Sequence, residues 1–186
     1  MDNWLPRHRI TVDEYYGMVQ AGLLAQDARV ELIEGEIFDM APIGTRHEAV
    51  VSRLNHLLVP AVGQRAIVRV QQSVRLSRSS EPQPDLALVK PRTDFYSEAH
   101  PTASDTLLVI EVSDTTLRFD HEIKMPLYAR HGVPEAWIVD VRAHCLHCLK
   151  SPRDGRYAET STIDGPRIVA ITALPGVTLD LSGLSA

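Results

Sequence analysis

Residues Thr106-Leu-Leu-Val-Ile-Glu-Val112 are apolar at odd and even positions alike. Strict alternation would mark a strand with one wet face. A near-continuous apolar run reads instead as a strand covered on both sides, at the centre of a sheet with layers above and below it. Glu111 interrupts this run. A carboxylate in such a strand is costly to bury unless it is paired or bound to a cation. The fold must therefore cover this strand twice and also supply a partner for its acid.

The flanking segments fit that demand. Ala136-Trp-Ile-Val-Asp-Val141 reads as a second buried strand, and residues 118–131 between the two as a helix broken or opened by Pro126. Strand, helix, strand in this order is a crossover unit with parallel pairing. Pro82-Gln-Pro84 stiffens the entry to a short strand, Asp85-Leu-Ala-Leu-Val89, and a loop over 90–104 follows. Upstream, Thr11-Val-Asp-Glu14 is a capping box opening a short helix to about Ala21, and residues 29–40 form a hairpin around Glu34-Gly35. Thr45-Arg-His-Glu48 predicts a second capping box, with Val50, Val51, Leu54, Leu57, Leu58 and Ala61 at helical spacing up to Gly63. Apolar even positions from Ala66 to Leu76 predict one strand with a solvated face. The tail, 144–180, predicts short strands with turns at Arg153-Asp-Gly155 and Asp164-Gly-Pro166. The expected class is α/β: a mixed β-sheet flanked by helices, with an N-terminal helix and hairpin and a C-terminal β-extension. The 186 residues read as a single domain with its core at about 29–150.

Composition narrows the function. The N-terminal Met1-Asp-Asn-Trp-Leu-Pro-Arg-His-Arg offers no signal-peptide stretch, and no apolar run approaches the roughly 18 residues of a membrane span. Cys145 and Cys148, three positions apart, cannot build a disulfide framework. A soluble cytoplasmic protein is expected. Net charge is −5, yet residues 41–80 carry six Arg (46, 53, 65, 69, 75 and 78) against one acid, Glu48. Such a stretch either meets a polyanion or forms an ordinary solvated surface, and Arg46, Arg53 and Arg69 are the candidate contacts to a polyanion.

If strands 85–89 and 106–112 pair antiparallel, residue 86 lies opposite 110, 88 opposite 108, and Asp85 opposite Glu111. Directly opposed residues share a sheet face. Two carboxylates would then meet at the end of an apolar ladder, and their repulsion calls for a metal or a proton. The plainer alternatives are a turn role for Asp85 and a buried salt bridge for Glu111.

Pro84-Asp85 followed by Glu111 in Leu-Val-Ile-Glu-Val resembles the PD-(D/E)xK nuclease superfamily. The wider context resembles its Uma2 branch, the former DUF820 group of restriction-endonuclease-like proteins. The matching segments are Val30-Glu-Leu-Ile-Glu-Gly-Glu36, Pro42 to His47, Gln83-Pro-Asp-Leu-Ala-Leu-Val89, Val109-Ile-Glu-Val-Ser113, Lys124-Met-Pro-Leu-Tyr-Ala129 and Gly132-Val-Pro-Glu-Ala-Trp-Ile-Val-Asp140. The superfamily pattern places a lysine two residues after the glutamate, where this chain has Ser113. The resemblance implies that Lys124 supplies the ammonium group from the following helix; helical spacing puts Asp120 one turn earlier, where it is expected to orient Lys124 or pair with it. The resemblance also implies an endonuclease in which Asp85 and Glu111 hold Mg²⁺, with Mn²⁺ as a substitute, and Asp85, Glu111 and Lys124 hydrolyse a phosphodiester bond. Glu31 and His47 match family positions and are expected to complete the pocket. DNA is the implied partner, and a homodimer would suit a double-strand cutter. The rivals are a catalytically inactive binding module on the same fold and a hydrolase of small phosphodiesters.

His144-Cys145-Leu-His147-Cys148 invites a zinc reading, but on a strand 145 and 147 face one side while 144 and 148 face the other, and no second cysteine pair exists. Zinc is not expected there. No nucleophile elbow and no phosphate-cradling glycine motif is present.

Overall fold

The computed structural model describes residues 5–165 and 167–184. Met1 to Trp4, and Pro166 of the expected 164–166 turn, lie outside the described residues. Six strands form one mixed sheet: β3 (Ile67–Val70), β4 (Leu86–Val89), β5 (Thr106–Ser113), β6 (Glu135–Asp140), β7 (Cys145–Arg153) and β8 (Arg156–Asp164), hydrogen-bonded in that order. Every pairing is antiparallel except β5 with β6. The parallel pair is the expected crossover, and β5 is the buried central strand.

The register of β4 and β5 follows the apolar matching, with Leu86 opposite Ile110 and Leu88 opposite Leu108 before a bulge at Val89. One face of the sheet carries Leu86, Leu88, Leu108, Ile110, Val112, Trp137 and Val139 beneath α2 (Thr45–Val62), whose Val50, Val51, Leu54 and Leu58 fill the layer. The opposite face carries Ala87, Val109 and Ile138 beneath a helical run in three pieces: α3 (Leu117–Phe119), a π-helical turn (Asp120–Lys124) and α4 (Met125–Arg130). Pro126 accounts for the wide turn. It has no N–H to give and its ring excludes the carbonyl of residue 122, so the Met125 N–H reaches back five residues to Asp120.

The N-terminal part is α1 (Val12–Gln20), capped by the Thr11–Glu14 box, and the hairpin of β1 (Val30–Ile33) and β2 (Glu36–Asp39). Glu34 and Gly35 at its tip both have positive φ, as a two-residue turn matched to strand twist requires. The tail forms a separate pair, β9 (Ile168–Ala170) with β10 (Thr178–Asp180), packed on the α2 side of the sheet. Glu135, a buried acid in β6, accepts hydrogen bonds from the Trp137 indole and the Ala173 N–H and so ties this tail to the sheet.

Three local expectations need correction. Thr45 is not a cap: Gly44 takes the N-cap position of α2 without any side-chain bond, so Thr45 is already helical. The strand expected over 66–76 ends at Val70, because Gln71 turns into positive φ and gives its N–H to the Asp85 carbonyl. Its polar face is not solvated either, since Arg69 is 8% exposed with its guanidinium over the Tyr96 ring. Finally, β7 and β8 are long strands that extend the central sheet, and only β9 and β10 stand apart from it. No helix among the described residues is long and apolar enough to cross a membrane.

Candidate active site

Asp85, Glu111, Lys124, Glu31, His47 and Asp120 line one cleft of about 400 Å³, together with Arg29, Phe38, Gln83, Asp114 and Thr116. The first six reach it from five parts of the chain. The chain emerging from Pro84 delivers Asp85 just ahead of β4. β5 supplies Glu111, the π-helical turn supplies Asp120 and Lys124, and β1 supplies Glu31. The third residue of α2 is His47. The hairpin is pinned over the cleft by Phe38 against Phe119 and by Arg130 bonding Glu34 at 2.7 Å.

Lys124 is the centre of the arrangement. Its Nζ lies 3.2 Å from Glu31 and 3.2 Å from Glu111, and all three side chains are nearly sealed from water. The other donor to Glu111 is the Tyr128 hydroxyl at 2.6 Å, and Glu31 also accepts the Gln83 N–H at 3.1 Å. Asp85 receives the Val112 N–H at 2.8 Å and sits 3.1 Å from His47 Nε2, while Gln71 reaches its second oxygen only at 3.4 Å. The bond from Val112 sets the Asp85 carboxylate beside the residue that follows Glu111. Asp120 does not bond Lys124; it accepts the hydroxyls of Ser113 at 2.6 Å and Thr116 at 2.7 Å. Ser113, at the place of the superfamily lysine, thus anchors the helix that carries Lys124.

Glu31, Asp85, Glu111 and Asp120 crowd around one lysine and one histidine in this space, and the proton affinities reflect that. Burial pushes the Glu111 carboxyl well above the ordinary carboxylate range; Lys124 opposes this, and Asp120, Asp85 and Glu31 add to it. Burial would pull the Lys124 ammonium down, but Glu111, Glu31, Asp120 and Asp85 hold it above its ordinary value, so it stays charged. For Asp85, burial acts upward but is outweighed by the His47 hydrogen bond and charge, the Val112 N–H and Lys124, leaving it below its usual range. The bond to Asp85 in turn raises His47 against the opposing effect of burial. His47 Nδ1 is buried without a hydrogen-bond partner among the described residues.

The three arginines are elsewhere. Arg46 and Arg53 are exposed along α2, flanking a separate pocket with His144 and Leu184, and Arg69 is packed on Tyr96. Tyr128 and Gln71 escaped the sequence reading. Tyr128 had a usable signal, since it follows Lys124 by four residues on a helix and so shares its face. Gln71 had none, because its approach depends on the positive φ that ends β3.

The Uma2 family model, described as "Putative restriction endonuclease", matches residues 12–182. The chain belongs to the Uma2 family. Among solved structures it is similar to "a putative nuclease belonging to DUF820" from Anabaena variabilis ATCC 29413. That likeness has a TM-score of 0.68 at 17% identity, covering 95% of this chain and 97% of the other, and it is a likeness of fold. No curated protein matches the chain.

The His47–Asp85 pair has a defined pH window. The raised His47 contributes stability that is full below its ordinary value of about 6.5 and fades as pH rises through its folded value. The depressed Asp85 contributes above its ordinary value of about 3.9 and is lost as pH falls through its folded value. The pair therefore stabilises most between about pH 4 and 6.5. In a histidine NMR titration, Asp85→Asn should lower the His47 midpoint; an unmoved midpoint would show that Asp85 does not hold the imidazolium.

Proposed function

We propose that this Uma2 protein is a divalent-metal-dependent DNA endonuclease in which Asp85, Glu111 and Lys124 carry the chemistry. The observation that carries the reading is the convergence of these three side chains in a cleft where acids outnumber bases. The donor set fits a hard cation: carboxylate oxygens in excess of their ammonium and imidazole partners, in a buried place where an unneutralised carboxylate is costly. Mg²⁺, with Mn²⁺ able to replace it, is the cation of that class, and Asp85 and Glu111 are the residues that would hold it. Bound there, it would acidify a water and draw charge from the phosphate.

The protein's own groups divide the remaining work. Lys124, kept charged between Glu31 and Glu111, stabilises the charge that builds on the phosphate oxygens in the transition state. Glu31 positions that ammonium from the side away from β5. Tyr128 fixes the rotamer of Glu111, and the Val112 N–H and His47 fix Asp85. Asp120 positions the helix start through Ser113 and Thr116. The N-terminus of α2, with Gly44 and His47 at the cleft wall, turns the positive end of an 18-residue helix toward an anionic substrate. A cytoplasmic location, a single domain over the whole chain and a homodimer that cuts both strands belong to the same proposal. The dispersal of the arginines favours, as a second reading, hydrolysis of a small phosphodiester, for which no broad basic surface is needed.

Three outcomes are expected. In plasmid cleavage with Mg²⁺, Lys124→Met should lower turnover by about 10²–10³-fold while leaving DNA affinity nearly intact. The exposed Lys90→Met serves as the control. Full activity in Lys124→Met refutes its role, and no cleavage of any DNA by the wild type shifts the assignment to the second reading or to a binding module. In calorimetry, Mn²⁺ should bind the wild type, and Glu111→Ala should abolish that binding; equal affinity would remove Glu111 from the metal site. Reversing Arg46 and Arg53 to Glu should weaken DNA binding and flatten its dependence on salt, because each phosphate contact releases counterions. An unchanged slope makes them a plain solvated surface.

A further inference from the structure

A second cluster of ligand-type side chains lies outside the cleft. An Asp140 carboxylate oxygen, Cys145 Sγ and a His147 ring nitrogen all fall within 4.8 Å of one another. Asp140 is opposite Cys145 in the β6–β7 ladder, and His147 is two residues further along β7, so all three project from one face of the sheet. The register carries that face back to β5, where Ser113 pairs with Asp140 and Glu111 with Ile138. The cluster is thus on the same face as the candidate active site, one strand beyond it. Residues 145 and 147 share a side, as strand alternation requires, and the third ligand is a carboxylate across the turn and not another cysteine.

We infer that Asp140, Cys145 and His147 form a three-ligand site for a borderline-soft divalent transition metal of the Zn²⁺ class, with a fourth position open to water. Cys145 Sγ and His147 Nε2 are 3.6 Å apart. Zn–S of about 2.3 Å and Zn–N of about 2.0–2.1 Å at a tetrahedral angle place sulfur and nitrogen about 3.6 Å from each other. The ligands are held in place independently of any ion. His147 Nδ1 lies 3.0 Å from Thr162 Oγ1 on β8, its ladder partner, which leaves Nε2 as the nitrogen facing the sulfur. That is the arrangement that orients metal-bound imidazoles. The Arg142 and Ala143 N–H groups both donate to Asp140 Oδ1, at 2.9 and 2.8 Å, and lock the carboxylate at the turn. Asp140 and Cys145 are buried, whereas His147 is half-buried and Thr162 exposed, so solvent reaches the open side. Mixed S, N and O donors suit Zn²⁺ or Co²⁺ and not Mg²⁺, which separates this site chemically from the all-oxygen set of the cleft.

Co²⁺ reports the site directly, because a cobalt–thiolate bond gives a near-ultraviolet charge-transfer band that oxygen ligands do not. The full-length protein, reduced and held in excess Mg²⁺, is titrated with Co²⁺ and then with Zn²⁺. The band should appear with one Co²⁺ per chain, be displaced by Zn²⁺, vanish in Cys145→Ser and persist in Cys148→Ala, whose side chain is on the other face. Thr162→Val leaves all three ligands in place and should weaken Co²⁺ binding about 10–100-fold. A wild type without the band, or a band that survives Cys145→Ser, overturns the site and leaves the 3.6 Å contact as a thiol–imidazole hydrogen bond. None of these readouts depends on DNA cleavage, so the inference stands or falls apart from the nuclease assignment.

Discussion

Burying Glu111 in the central strand is the constraint around which the rest of the structure is arranged. It is 2% exposed, and the Lys124 that answers it is 4% exposed. Taking two such charges out of water costs several kcal/mol per ion, and their attraction repays this only when further bonds satisfy the remaining atoms. Here Tyr128 and Glu31 do that work, one from α4 and one from β1. For Lys124 to arrive, the helix must fold back over β5, and the π-helical turn ahead of Pro126 determines which side chains face the sheet. For Glu31 to arrive, the hairpin must close over the helix, as Phe38 and Phe119 ensure. One carboxylate thus organises three elements distant in sequence.

A buried ion pair is weak evidence of stability, since apolar residues of equal volume often serve as well or better. The other buried acids provide the comparison. Glu135 is satisfied by an indole and a backbone N–H and ties down the tail. Glu81 is paired with Arg75 and Tyr16. Both are acids with structural partners, and neither lines the cleft. Glu111 opens instead on a cavity shared with Glu31, Asp85, Asp114 and Asp120, an arrangement that worsens the cost of burial. Stability alone gives no reason for that crowding, whereas binding a cation and an anionic substrate does.

The register of β4 and β5, the parallel crossover and the opening at Pro126 were legible because each follows from apolar patterning or from the chemistry of one residue. The six cleft residues were legible in part from physics: an acid in an apolar strand announces itself, and a pairing register carries Asp85 toward it. Glu31, His47 and Lys124 came from resemblance alone, since nothing local distinguishes a ligand lysine from a solvated one. What failed were readings that treated alternation as sufficient. The run from Ala66 to Leu76 alternates well, yet Gln71 breaks it, and Arg69 on its supposed wet face is buried against Tyr96, which arrives from a loop more than twenty residues away.

The sheet face that holds Glu111 also carries the Asp140 cluster, and the two sets differ in hardness as well as in place. Along β5 and β6 the register aligns Glu111 with Ile138 and Ser113 with Asp140, so Ser113 stands between the acidic cleft and the mixed-donor cluster. A lysine at 113, as the superfamily pattern has it, would point its charge from the same position toward Asp120 and Asp140 alike. With serine there, the hydroxyl is spent on Asp120, and Asp140 is left to its own turn and to Cys145 and His147. A lysine at 124, held between Glu31 and Glu111, therefore does more than place one charge. It keeps the acidic cleft and the Asp140 cluster apart, each with its own set of partners.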